Sequence, residues 1–90
     1  MYVKNIGGTS GYSSPCTCCD TWIGHWRKWT GSRRSTCAIA GCSGKAVGAH
    51  VRKSRSSDQR WYIVPICHRH NMSGSELSVN VELVHVRACR

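Results

Sequence analysis

The 90-residue sequence contains no phenylalanine, two prolines and only four acidic residues. It has no run of about 18 apolar residues, which excludes a transmembrane helix within this sequence. The N-terminal third has no apolar segment of the signal-peptide type, so we expect a cytoplasmic protein with no membrane partner. Hydrophobic residues make up 40% of the chain. A single small domain with so modest a core needs a further source of stability, such as a metal or disulfides.

The shortage of acidic residues leaves the chain strongly basic. Thirteen Lys and Arg against four Asp and Glu give a net charge of +9. Nine of these cations lie between Arg27 and Arg60, where Asp58 is the only acidic residue. This distribution favours a polyanionic partner, because neutralising phosphates supplies most of the non-specific affinity for nucleic acid. The alternative is a charged surface that only maintains solubility.

Seven cysteines and five histidines indicate metal ligation. An odd number of cysteines without a secretion signal argues against a disulfide framework. Cys37-x4-Cys42 and Cys67-x2-His70 form two ligand pairs with 24 residues between them. Three thiolates and one imidazole close a tetrahedral zinc site, whereas His68 points away from the ion that its neighbour Cys67 binds. The alternative is that some of these cysteines are small buried apolar residues.

The remaining cysteines leave three possibilities open. A second zinc ion would take Cys16, Cys18 and Cys89, with His25 or Cys19 as the fourth ligand. The Cys-x-Cys spacing is tighter than the usual zinc pair. A disulfide from Cys89 to Cys16 or Cys18 would stabilise the chain by about 4 kcal/mol, but a reducing cytosol disfavours it. Unliganded thiols are the third possibility.

The N-terminal half is predicted to contain one helix. Residues 1–15 form an arm rich in Gly and Ser that we expect to be loop. Residues 21–30 are predicted to form a helix, with Asp20 as its N-cap and Gly31 after its end. Helical spacing places four aromatic residues on one face: Trp22, His25, Trp26 and Trp29. This spacing favours a core face, and a platform that stacks nucleic-acid bases is the alternative.

The C-terminal half is predicted to contain a hairpin and a short helix. Residues 46–51 are predicted to form a strand. Residues 61–64 are β-branched and aromatic, which predicts the returning strand of the hairpin, and Pro65 is expected to end it. A helix is predicted to start within 67–72, and residues 77–86 are predicted to form one or two strands.

The segment from Cys37 to Cys42 is expected to form a zinc knuckle. The order of knuckle, hairpin and short helix resembles a treble-clef zinc domain, and the local sequence resembles the core of HNH endonucleases. The similarity covers residues 37–72. The stretches that carry it are Gly48-Ala49-His50-Val51 and, after a loop, Trp61-Tyr62-Ile63-Val64-Pro65-Ile66-Cys67-His68-Arg69-His70-Asn71. The wider pattern is also similar to a group of small bacterial zinc proteins.

The resemblance implies one small, metal-stabilised α+β domain over residues 1–90, with the tryptophan-rich helix before the HNH-like core and a strand after it. It also implies a general base, His50, and a divalent cation held in part by Asn71. Ala49 stands where the family has a cation ligand, and Tyr62 stands where it has an orienting Asn. No carboxylate lies near these positions, because Asp58 is in the hairpin loop and Glu76 and Glu82 follow the motif. The catalytic site is therefore expected to be degenerate.

Three functions follow from these observations. The first is a zinc-stabilised module that binds nucleic acid through its basic residues. The second is a metal-dependent HNH-type endonuclease that uses His50. The third is a protein-interaction module with an acidic protein partner. The basic residues expected to contact nucleic acid are Arg33, Arg34, Lys45, Arg52, Lys53, Arg55 and Arg60.

Overall fold

A computed structural model describes residues 1–6 and 21–87 of the chain. The described part forms a small α+β fold with a five-stranded antiparallel sheet and two helices. The elements are β1 (Tyr2–Asn5), α1 (Trp22–Thr30), β2 (Ala46–Lys53), β3 (Tyr62–Cys67), α2 (His68–Asn71), β4 (Leu77–Ser78) and β5 (Val84–His85). The strands lie in the order β4-β1-β2-β3-β5. The predicted α+β class is confirmed, and no helix in the described ranges has the length and apolar character to span a bilayer.

The prediction that residues 1–15 are all loop is wrong for β1. Val3 is fully buried, and β1 pairs with both β2 and β4. Tyr2 and Val3 are residue types that favour strands, and the run of glycines begins only after this short segment. The rest of the arm, residues 7–15, lies outside the described residues.

The hairpin is longer than predicted, because Pro65 lies inside β3 and does not end it. Pro65 is opposite Gly48 in the ladder, yet its carbonyl accepts a hydrogen bond from Ala38 N–H at 2.8 Å. The backbone groups of a strand residue point to the same side, so the nitrogen of Pro65 also points away from β2. Its missing N–H therefore costs no hydrogen bond of the hairpin, as proline in a sheet requires.

The two faces of the sheet cover two separate cores. Alternation along β2 directs Ala49 and Val51 to one core and Gly48 and His50 to α1 on the other face. The first core consists of Val3, Cys37, Ala38, Ala49, Val51, Tyr62, Val64, Ile66, Cys67, Leu77 and Val79. The second is built from Trp26, Ile63 and Val84, with further tryptophans packed against it.

The predicted tryptophan helix is confirmed, with a different N-cap. The hydroxyl of Thr21 accepts a hydrogen bond from Gly24 N–H at 3.1 Å, as an N-cap residue does. Asp20, the predicted cap, lies outside the described residues. Gly31 ends the helix with φ of 75°, and its N–H donates to the carbonyl of Arg27. Trp26 is 2% exposed.

Gly48 sets how closely α1 approaches the sheet. A Cβ at this position would lie 2.4 Å from the backbone nitrogen of Ile23 and 2.6 Å from the carbonyl carbon of Trp22. Backbone atoms at these distances cannot move aside as a flexible side chain can. The helix therefore lies directly on β2 only because residue 48 lacks a side chain.

Gly48→Ala is expected to lower the free energy of unfolding by about 2–3 kcal/mol, because α1 must shift away from the sheet. Gly74→Ala is the matched control, since a Cβ there meets nothing within 4 Å. The control should change stability by less than about 0.5 kcal/mol. Urea denaturation of both variants is the measurement. Equal midpoints for the two variants would contradict the close approach of α1.

Candidate metal centre

The segment that carries Cys37 and Cys42 is a tight knuckle closed by backbone hydrogen bonds. Cys37 N–H donates to the carbonyl of Gly44 at 2.9 Å, and Cys42 N–H donates to the carbonyl of Ile39 at 3.1 Å. Gly41 makes the turn with φ of 80°, which favours glycine. The knuckle therefore directs both thiols to the same side.

The second ligand pair lies where β3 meets α2. Cys67 is the last residue of β3, and His70 lies in the single turn of α2 that follows. Cys67 Sγ lies 3.1 Å from His70 Nδ1, and Cys37 Sγ lies 3.7 Å from the same nitrogen. Cys42 Sγ lies 3.8 Å from Cys67 Sγ. The ligand atoms of all four residues lie within 4.8 Å of one another.

These distances fit a tetrahedral metal site. Metal–sulfur bonds of about 2.3 Å and metal–nitrogen bonds of about 2.0–2.1 Å give separations of about 3.8 Å between sulfurs and about 3.6 Å between sulfur and nitrogen. The observed separations lie close to these values, with the Cys67–His70 contact somewhat shorter. The four residues predicted as ligands are thus brought together in an arrangement compatible with a bound metal ion.

The surrounding residues leave no spare room at the cluster. A Cβ on Gly44 would lie 2.9 Å from Cys67 Cβ and 3.6 Å from Cys42 Sγ. The Arg34 side chain holds the start of the knuckle, because it donates to the carbonyls of Thr36 at 3.0 Å and Cys37 at 3.0 Å. Residue 44 therefore has no room for a side chain beside the thiols, and Arg34 holds the backbone from which Cys37 projects.

Two of the thiols differ in acidity. A hydrogen bond from the His70 backbone N–H is the main cause that lowers the pKa of Cys67 to about 7. Burial raises the pKa of Cys37 above its ordinary value. Metal ligands bind as thiolates, so Cys67 is the more readily available ligand and Cys37 must lose its proton when a metal binds.

His50, the predicted general base, lies apart from this cluster. It is 4% exposed, and its ring contacts the Trp22 ring edge-to-face with centroids 4.3 Å apart. Burial lowers its pKa, so the imidazole is neutral at neutral pH. Among the described residues, the group of metal-ligating side chains around Cys37 does not include His50.

Asn71, the residue expected to share a cation with His50, faces the other side of the sheet. Its Oδ1 accepts a hydrogen bond from Asn5 Nδ2. Asn5 is directly opposite Val51 in the ladder, and residues paired in this way point to the same face of the sheet. His50 is the neighbour of Val51 in β2, so its side chain points to the opposite face. The sheet thus separates the two side chains on which an HNH-type cation site would depend.

The residues suggested for a second metal are only partly described. Cys16, Cys18, Cys19 and Cys89 lie outside the described residues. His25 is 2% exposed on α1, with its ring 6.3 Å from the Trp22 ring between centroids. It is therefore a buried histidine on the face that packs against the sheet.

The predicted basic residues are spread along the fold. Lys45 directly precedes β2 and Arg52 is the second-last residue of that strand, so about 23 Å separate them at the usual rise of a strand. The guanidinium of Arg34 donates hydrogen bonds to backbone carbonyls at the start of the knuckle. Its side chain is thus committed to the fold, although the sequence predicts it as a nucleic-acid contact.

Three cations of the hairpin loop pair with carboxylates. Arg60 donates to both oxygens of Asp58 at 3.0 and 3.1 Å, and Lys53 lies 3.5 Å from the same carboxylate. Arg55 donates to both oxygens of Glu76, and its guanidinium lies 3.6 Å from the centre of the Tyr2 ring. These ion pairs reduce the positive charge that the loop presents.

Lys4 and Arg52 form a basic pair that the sequence did not predict as a unit. They are directly opposite each other across β1 and β2, and neither forms an ion pair within residues 1–6 and 21–87. They line one end of a polar cavity of about 170 Å³. The other lining residues are Lys53, Ser54, Ser56, Asp58 and Gln59. Tyr2–Asn5 holds two strand-favouring residues followed by two polar ones, a pattern too short to predict the strand that brings Lys4 beside Arg52.

Comparison with protein-family models, curated proteins and solved structures finds no match to this chain.

Proposed function

We propose that the Cys37, Cys42, Cys67 and His70 cluster binds zinc as a structural ion in a treble-clef arrangement. Three thiolates and an imidazole are soft and borderline ligands that suit zinc better than a hard cation. The four ligands fill a tetrahedral shell, so the ion has no open position for a substrate. The metal then acts through the fold and not through catalysis.

We further propose that the domain binds nucleic acid, and that the Lys4 and Arg52 pair is the centre of the contact. Like charges directly opposite in a sheet repel each other, and Glu76 offsets part of this repulsion at Lys4. A phosphate group between the two side chains would neutralise both of them. This is the observation that supports the proposal most directly.

The cavity beside the pair offers part of the chemistry that a phosphodiester backbone requires. Lys53 also lines it, in an ion pair with Asp58, and the Ser54 hydroxyl donates to Glu76. The hydroxyl of Ser56 is a further donor that a phosphate oxygen could accept from. Such contacts hold the phosphate backbone without reading the base sequence. The module is therefore expected to bind with little sequence preference.

The test is the binding of short duplex DNA, single-stranded DNA and RNA measured by fluorescence anisotropy over a range of salt concentrations. Lys4→Gln combined with Arg52→Gln should weaken binding at least about tenfold and reduce the slope of log K against log salt by about 1.8, for two lost phosphate contacts. Which of the three polymers binds most tightly identifies the partner class.

Lys28→Gln combined with Arg69→Gln is the matched control, because it removes the same charge from two exposed residues elsewhere. The control should keep most of the affinity and the salt slope. An equal loss of affinity in the two double variants would show that binding depends on the overall positive charge and not on the Lys4 and Arg52 pair. A wild-type protein that binds none of the polymers, yet binds an acidic protein, would overturn the nucleic-acid proposal in favour of the protein-interaction module.

A further inference from the structure

The guanidinium of Arg55 is held in a fixed position beside β1. Its carbon Cζ lies 3.6 Å from the centre of the Tyr2 ring, so the two groups are in van der Waals contact at the ring face. Its Nε and Nη2 donate to the two oxygens of Glu76 at 3.2 and 2.9 Å. One face and one edge of this planar group are therefore held by the protein, while the Arg55 side chain remains 62% exposed.

The ion pair with Glu76 determines which part of Arg55 can meet a ligand. The bidentate contact takes up the N–H groups along one edge of the guanidinium and offsets its charge. Arg55 is therefore less suited to bind a phosphate than Lys4 or Arg52, which form no such pair within residues 1–6 and 21–87. The contacts with Tyr2 and Glu76 leave the outer face of the guanidinium unused, and nucleic-acid bases stack on such a plane.

The Tyr2 and Arg55 stack lies on the same face of the sheet as the basic pair. Tyr2 and Lys4 alternate with Val3 in β1, so both side chains point to one face, about 7 Å apart at the usual rise of a strand. Arg52 is directly opposite Lys4 and points to that face as well. Tyr2 is 42% exposed. One nucleotide can therefore place its phosphate at the basic pair and its base on the stack.

We propose that Tyr2 and Arg55 form a stacking platform for an unpaired base, and that the nucleic-acid partner of this domain is single-stranded. This inference rests on the proposed phosphate contact at Lys4 and Arg52, and it adds the contact that selects the form of the strand. The bases of a duplex stack on one another and expose only their edges, whereas an unpaired base offers a whole face. Stacking accepts any base, because every base has a π-face.

The test compares the binding of four probes of about 12 nucleotides, measured by fluorescence anisotropy. The probes are oligothymidylate, oligouridylate, a single strand of abasic sites and duplex DNA. The abasic strand carries the same phosphates as oligothymidylate and has no bases to stack. The wild-type protein should therefore bind oligothymidylate at least about fivefold more tightly than the abasic strand. The relative affinity for oligouridylate shows whether the natural strand is DNA or RNA.

Arg55→Lys isolates the stacking contact, because it keeps the positive charge beside Glu76 and removes the planar group. It should weaken the binding of oligothymidylate at least about fivefold and change the affinity for the abasic strand less than about twofold. Arg69→Lys is the matched control, since it makes the same change at an exposed residue of α2 and should leave every affinity unchanged. Tyr2→Phe keeps the ring under Arg55 and should bind like the wild type, whereas Tyr2→Leu should bind like Arg55→Lys.

Two results would overturn the stacking platform. One is equal affinity of the wild type for oligothymidylate and the abasic strand, and the other is an Arg55→Lys protein that binds oligothymidylate as tightly as the wild type. The phosphate contact would survive either result if Lys4→Gln combined with Arg52→Gln still weakened the binding of all four probes. A wild-type protein that binds none of the probes would overturn both proposals.

Discussion

Removing the metal from the Cys37 cluster should unfold most of the domain. The cluster joins the knuckle, the end of β3 and α2. Zinc bound by such ligands contributes an apparent free energy of about 10–16 kcal/mol at neutral pH. The whole stability of a typical domain is only about 5–15 kcal/mol. A strong chelator is therefore expected to abolish the cooperative unfolding transition seen by circular dichroism.

Variants of the ligands separate loss of the metal from general damage. Cys67→Ser should lose the ion at this cluster and melt at a much lower temperature, because a neutral hydroxyl is a poor zinc ligand. His70→Cys keeps four ligands and should retain the ion, whereas His70→Ala should not. Zinc content and thermal melting are measured together. An unchanged melting temperature and zinc content in Cys67→Ser would refute the assignment of the ligands.

Trp26→Ala should have the next largest effect, a loss of about 3–5 kcal/mol. The ring is 2% exposed and packs with Ile63 and Val84 in the second core. Its Nε1 also donates to the carbonyl of Glu82 at 2.7 Å, which fastens α1 to the segment before β5. Both the apolar contacts and the hydrogen bond are lost in the alanine variant.

Two further variants divide this effect into its parts. Trp26→Phe keeps much of the ring volume and loses the hydrogen bond, so it should cost about 1–3 kcal/mol. Met72→Ala is the control, because Met72 is 72% exposed and its loss should change stability by less than about 0.5 kcal/mol. Urea midpoints with zinc in excess give the three values. A Trp26→Ala midpoint equal to that of Met72→Ala would show that the second core adds no stability.

The cluster of Cys37, Cys42, Cys67 and His70 and the helix α1 could be predicted from the sequence because their signals are local. Cys-x4-Cys and Cys-x2-His are spacings that a single ion imposes on a short stretch of chain. The tryptophans repeat at helical spacing, and Gly31 supplies the left-handed conformation that ends α1. Each of these features depends on residues within one or two turns.

The features that were missed depend on distant parts of the chain. Tyr2–Asn5 is too short to show a strand period, and it becomes a strand because β2 and β4 pair with it. Pro65 is tolerated in β3 because its nitrogen points away from β2, on the side where its carbonyl accepts from Ala38 N–H of the distant knuckle. The basic pair of Lys4 and Arg52 exists only after β1 and β2 are side by side. Local propensity carries no information about such pairings.

The position of β1 inside the sheet also bears on how the protein is made. Val3 pairs with Lys53 on one side and with Leu77 on the other. On a ribosome that adds about 5–20 residues per second, β1 waits roughly 4–15 s for its last partner to be synthesised. The knuckle, the hairpin and α2 are complete before that, so metal capture can precede closure of the sheet. During this interval the nascent chain exposes an unpaired strand, and the brevity of β1 and the charge of Lys4 limit its aggregation with other chains.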